Sequence, residues 1–82
     1  MNSYSFEVIV SCKEDVLDPE GRVICETFRR KNFLLSDVRV SKRYVLSLEG
    51  ELKDCEKEAK KLAEEHLSNP VAEDYKLRRL EL

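Results

Sequence analysis

Apolar and polar residues alternate from Ser3 to Cys12: Tyr4, Phe6, Val8, Val10 and Cys12 share one face, and Ser5, Glu7, Ile9 and Ser11 the other. A period of two predicts a half-buried strand. Asp18-Pro19-Glu20 then reads as a helix start. Asp18 can cap exposed amides, proline suits the first helical position, and Glu20 complements the helix dipole. Val23, Ile24, Thr27 and Phe28 make one helical stripe, and Arg29, Arg30 and Lys31 fall in the last turn, where cations meet free carbonyls. Asn32 is suited to a left-handed C-cap.

The period of two returns further on. Val38 and Val40 belong to a predicted second strand from about Ser36, and Ser41-Lys42-Arg43 reads as a tight hairpin connection. Tyr44, Leu46 and Leu48 alternate with Val45, Ser47 and Glu49 in a predicted third strand, which Gly50 ends. From Leu52 to about Ser68 the period is helical: Leu52, Cys55, Ala59, Leu62, Ala63 and His66 line one stripe, flanked by Leu67. Charges fill the other side, including a favourably oriented Glu56–Lys60 pair. Asn69 and Pro70 stop this helix, and the chain is expected to be extended from Val71, with Glu73, Tyr75 and Leu77 on one side. The apolar phase then slips to Leu80 and Leu82, as a bulge or a loose tail would produce.

The predicted order is β-α-β-β-α-β in one domain over residues 1–82. The matching architecture is an α+β two-layer sandwich of ferredoxin-like type, an antiparallel sheet with two helices on one face. Ile9 and Val45 fall on the other, open face, where an apolar pair suggests subunit contact. The last strand can pair with its own sheet or with a neighbour's edge.

Composition narrows the function classes. Charged residues make up 39% of the 82 residues, hydrophobic ones 41%, and the net charge is -2 with both signs interleaved. That describes a folded chain with a salt-laced surface, and it lacks the basic stripe of a phosphate-driven nucleic-acid binder. No apolar run approaches the ~20 residues of a membrane span, and no signal-peptide pattern is seen, so a cytoplasmic location is expected. Cys12, Cys25 and Cys55 are odd in number and widely spaced, and His66 is the single histidine. Free thiols fit better than a disulfide framework or a metal site. So small a chain has a thin core, which makes a partner subunit an expected source of further burial.

No catalytic, cofactor-binding or metal-ligating set is apparent. The two glycines, Gly21 and Gly50, form no phosphate loop, and no nucleophile has a base and an orienting residue beside it. The residues alone indicate a small oligomeric α+β binding or structural domain. A second class is a regulatory module holding an amino acid or similar metabolite between subunits. Here no glycine follows the first strand to admit a ligand to backbone amides. A free-standing enzyme ranks third.

Three segments carry more. Lys13 to Gly21, KEDVLDPEG, resembles the Lys-Glu-x-Val-Leu-Asp-Pro-x-Gly motif of the PurS family. Val38 to Gly50 resembles that family's Val-Arg-x-Gly-Lys segment with its following strand, and Leu67 to Tyr75, LSNPVAEDY, resembles its Leu-x-Asn-Pro-Val-Ile-Glu-Asp-Tyr ending. The segments keep the family's order and spacing. Ser41 stands where the family usually has glycine, which would strain a left-handed turn there. Ala72 replaces a larger aliphatic residue.

The resemblance implies the small subunit of phosphoribosylformylglycinamidine synthase in purine biosynthesis. In that family a glutaminase subunit (PurQ-like) releases ammonia and a large synthetase subunit (PurL-like) uses ATP to install it. The small subunit, a dimer or a tetramer, joins the two and assists ammonia transfer. It carries no catalytic residues and no cofactor of its own; ATP, Mg and glutamine are used by the partners. The partner-contact candidates are Lys13, Glu14, Val16, Leu17, Arg39, Lys42, Glu73, Asp74 and Tyr75.

Overall fold

Ser3–Cys12 forms β1, the middle strand of a three-stranded antiparallel sheet of order β2-β1-β3. The computed structural model describes residues 2–14 and 18–81. α1 is Pro19–Arg30, β2 is Ser41–Glu49, α2 is Leu52–Lys61 and β3 is Glu73–Leu80. A π-helical turn, Leu62–Leu67, continues α2.

The alternation in β1 sets the layers. Val8 lies opposite Tyr44 on β2 and Leu77 on β3. Phe6, Val8 and Val10 are buried, and Cys55, Ala59 and Ala63 of the long helix close over them. Alanine at the two central helix positions lets the helix axis approach the sheet, while Leu46, Leu48, Leu52, Leu67 and Leu77 fill the margins. Every buried side-chain N or O among the described residues has a hydrogen-bond partner. The α+β class of antiparallel sheet and two helices holds.

Its detail differs from the sequence expectation at four places. The predicted strand over Ser36–Val40 and its hairpin do not form, and β2 runs unbroken from Ser41. The reason is competition for backbone groups: the Val40 N–H goes to the Asp18 carboxylate, so this segment is tied to the start of α1. Ser41 is therefore the first residue of a strand, without the strain of a turn; the one non-glycine residue of positive φ among those described is Asn32, at 69°.

α1 stands off the sheet, and packing within the fold runs among the three strands and the α2 helix. Its predicted core stripe is thus open to solvent, with Val23 63% and Ile24 and Phe28 each 38% exposed. α1 ends as the sequence predicts. Asn32 and Phe33 donate to the Arg29 and Phe28 carbonyls, a Schellman closure, and the Phe28 and Phe33 rings meet edge to face at 5.5 Å.

The long helix changes winding at Leu62. Its wider π turn carries Leu67 toward the core and His66 into solvent, off the stripe predicted for it. Ser68 closes the turn with its Oγ on the Ala63 carbonyl at 2.6 Å.

β3 pairs with β1 of its own chain in unbroken register from Glu73 opposite Cys12 to Leu80 opposite Ser5. No bulge intervenes, and Leu80 sits on the open face because the register puts it there. Residues 69–72 form a turn before the strand, so Val71 is not yet extended: Ala72 donates to the Asn69 carbonyl at 3.1 Å and Val71 to its side-chain oxygen at 3.0 Å.

Candidate partner interface

Four chain segments meet at the end of the sheet where β1 finishes. The Lys13 N–H extends the ladder onto the Ala72 carbonyl at 3.0 Å. Arg39 reaches back across the same end, donating from Nη2 to the carbonyls of Cys12 (2.9 Å) and Lys13 (3.0 Å). One guanidinium nitrogen thus holds the segment before β2 against the last residues of β1.

Asp18 makes the second tie. One carboxylate oxygen accepts the Gly21 N–H at 3.0 Å, the expected N-cap. The other accepts the Val40 N–H at 2.7 Å. These amide donors, with the Arg39 charge nearby, hold the buried carboxyl below the usual aspartate range. Gly21 completes the contact by having no side chain. A Cβ there would lie 2.0 Å from the Val38 carbonyl oxygen. The Asp-Pro-Glu-Gly run therefore caps α1 and also welds it to the segment that leads into β2.

On the other side of this end, Asn69 and Glu73 lock the turn into β3. The Asn69 N–H donates to Glu73 Oε1 at 2.8 Å, and the Glu73 N–H returns to the Asn69 carbonyl at 2.7 Å. Tyr75 donates its hydroxyl to Glu64 Oε1 at 2.8 Å, which joins β3 to the π turn and pushes the phenol above its ordinary range. A cleft of about 150 Å³ lies between these parts, lined by Val10, Cys12, Asp18, Pro19, Lys42 and Glu73 among others.

Most partner-contact candidates therefore come together, though with unequal freedom. Lys13, Arg39, Glu73 and Tyr75 are each engaged within the chain. Glu14, Lys42 and Asp74 are exposed around the same end. Val16 and Leu17 lie outside the described residues. Sequence reasoning overlooked the second bond of Asp18 and the role of Gly21; a glycine in the first turn of a helix, where it costs stability, was the available signal.

It also overlooked Glu7. This glutamate sits at the centre of the open sheet face, 8% exposed, between two arginines. Arg43 Nε donates to its Oε2, and Arg78 Nη2 lies 3.3 Å from its Oε1. The bond from Arg43, aided by Arg78, holds its carboxyl below the usual range against the opposing effect of burial.

Among the described residues no His, Cys, Asp and Glu group has metal-site geometry, and no helix is long and apolar enough to cross a membrane. The three cysteines are free thiols.

Residues 5–81 match the family model of PurS, phosphoribosylformylglycinamidine (FGAM) synthase. The chain belongs to the PurS family. It is 35% identical over 74 residues to the PurS subunit of Bacillus subtilis phosphoribosylformylglycinamidine synthase, covering 89% of this chain and 88% of the relative. The Thermotoga maritima PurS subunit is 35% identical over 82 residues, covering 98% and 100%. Among solved structures, Bacillus subtilis PurS superposes with a TM-score of 0.85 at 34% identity, covering 95% of this chain and 99% of that one. A chain of the Thermotoga maritima PurLQS structure gives 0.83 at 32% identity, covering 98% and 100%. As a PurS chain, this protein is a subunit of FGAM synthase, a ligase of purine biosynthesis, and the regulatory-module alternative is not favoured.

Proposed function

We propose that the chain joins a PurL-like synthetase subunit to a PurQ-like glutaminase subunit and assists ammonia transfer between them in the cytoplasm, with no catalytic group of its own. ATP, Mg and glutamine are handled by the partners. The likeness to the chain of the Thermotoga maritima PurLQS structure, over 98% of this sequence, is the observation that carries this reading. The β1 end of the sheet supports it: Glu14, Lys42 and Asp74 are offered to a partner by a frame already rigid from Asp18, Arg39 and Asn69.

The chain acts there as a dimer, with tetramer as the next order. Support comes from α1, whose stripe of Val23, Ile24 and Phe28 continues into Phe33 (58% exposed) and Leu34 (102%). An apolar surface of this extent on a projecting helix fits burial against a second copy.

The test is amidine synthesis by the synthetase and glutaminase subunits with and without this chain, run on glutamine and on an ammonium salt. A requirement for the chain with glutamine alone supports coupling of two active sites. Equal rates without the chain on both nitrogen sources overturn the proposal.

A further inference from the structure

We propose that the open face of the sheet docks an acidic segment of a partner subunit, through an arginine pair that Glu7 holds in place. The inference rests on the assembly described above and adds to it a third surface, beside the β1 end and α1.

The register builds the patch. Arg43 lies opposite Ile9 on β2, Lys76 lies opposite the same Ile9 on β3, and Arg78 lies opposite Glu7. Three cations thus surround one carboxylate in the middle of the face, and the face's other acids, Asp74 opposite Ser11 and Glu49 opposite Ser3, lie toward its two ends. That carboxylate is buried beneath two guanidiniums whose side chains stay 56% and 69% exposed. Arg43 spends its Nε on Glu7 and Arg78 one Nη. Their remaining N–H groups are left to face solvent from held positions. A guanidinium fork fixed in this way matches a carboxylate in two-point geometry, and ordering it beforehand lowers the entropy lost on binding. Val45, 51% exposed beside Arg43, gives the patch an apolar contact as well.

Two other occupants fit less well. A second copy stacked face to face with its two-fold axis at Glu7 would set the three central cations against each other, with Glu49 and Asp74 away at the ends, since an isologous interface repeats its own charges. Single-stranded RNA binds sheet faces by stacking bases on aromatic rings. Here Tyr4, Phe6, Tyr44 and Tyr75 all have the parity of Val8 and point to the helix layer, so the open face has no ring. The face measures roughly 30 by 14 Å from strand length and spacing. At roughly 400 Å² it is about half of one side of a standard interface, so it serves as one part of a larger contact.

The experiment titrates the full chain into the purified PurL-type and PurQ-type subunits of the same organism, separately and together, with affinity and melting temperature measured for each variant. Lys76→Glu combined with Arg78→Gln is expected to weaken assembly by about tenfold or more. Wild-type affinity should fall more steeply than the variant's between about 50 and about 500 mM NaCl. Lys76→Glu alone, outside the ion pairs, serves if the double variant melts early, and should still weaken assembly by about threefold. Unchanged assembly by a folded variant overturns the docking surface and leaves the function standing. A wild-type chain that binds neither subunit overturns both. Binding of a single-stranded oligoribonucleotide as tight as that of the subunits would also overturn it.

Discussion

Asp18 binds the Val40 amide through one carboxylate oxygen while the other caps its own helix, so a single side chain joins segments 22 residues apart in sequence. α1 has few other attachments to the fold. Asp18 and the Gly21–Val38 contact therefore set the direction in which α1 projects, and with it the placement of its apolar stripe.

Replacing Asp18 by alanine should release both amides. The expected result is a melting temperature lower by roughly 4–8 °C, the size of one lost cap in so small a domain. Asn should recover only part of this, because its NH₂ group would face one amide donor with another. Thermal unfolding followed by circular dichroism checks both.

Gly21→Ala inverts a general rule. Alanine in an exposed helix normally stabilises by about 1 kcal/mol relative to glycine. Here the new methyl would meet the Val38 carbonyl oxygen at 2.0 Å, backbone that cannot swing aside. Overpacking of this kind costs about 1–3 kcal/mol, so the clash should win and the net effect should be destabilising. Urea denaturation gives the sign directly.

Acid should weaken the fold through two carboxylates. Glu7 and Asp18 both titrate below their ordinary values in the folded chain, Glu7 because Arg43 and Arg78 donate to it and Asp18 because the Gly21 and Val40 amides do. Their stabilising contribution is complete above the unfolded carboxylate range near pH 4 and is lost as pH falls through the lower folded values. Glu7→Gln should flatten the acid limb of the stability curve. Tyr75 runs the other way. Its hydroxyl donates to Glu64, which raises its pKa, so its contribution is present below about pH 10 and lost at higher pH. Denaturation midpoints from acid to alkaline pH, with Tyr75→Phe as the control for the basic limb, measure both effects.

The strands of this protein were legible in the sequence wherever one face is buried. In β1, the later part of β2 and the start of β3, alternation is enforced by the helix layer, and each predicted inward residue points inward. Val38 and Val40 misled because their alternation is just as regular, yet the Val40 amide is claimed by the Asp18 carboxylate 22 residues earlier, which no local pattern reveals. The stripe on α1 was equally visible. It identified an apolar surface without saying what covers it, and among the described residues its Val23 is left 63% exposed. At the β1 end of the sheet, Asp18 was found as a cap from the local order Asp18-Pro19-Glu20. Arg39, Glu73 and Tyr75 were picked from a motif, and their internal bonds depend on register that emerges only when the sheet is assembled.

The same register bears on how self-association should be tested. β3 pairs within its own chain, so removing Val71 to Leu82 would strip one of three strands from β1 and unfold the sheet along with any dimer. A surface change on α1 separates the two effects. Val23 is 63% exposed and makes no part of the core, so Val23→Glu should leave the melting temperature of a dilute sample within about 2 °C of wild type. In a dimer, the same charge would be buried against an apolar neighbour, at a cost that exceeds a typical single contact. Sedimentation equilibrium should therefore show the dimer of the wild type reduced to monomer in the variant. Wild-type and Val23→Glu chains of identical mass in solution would place the dimer contact elsewhere than on α1.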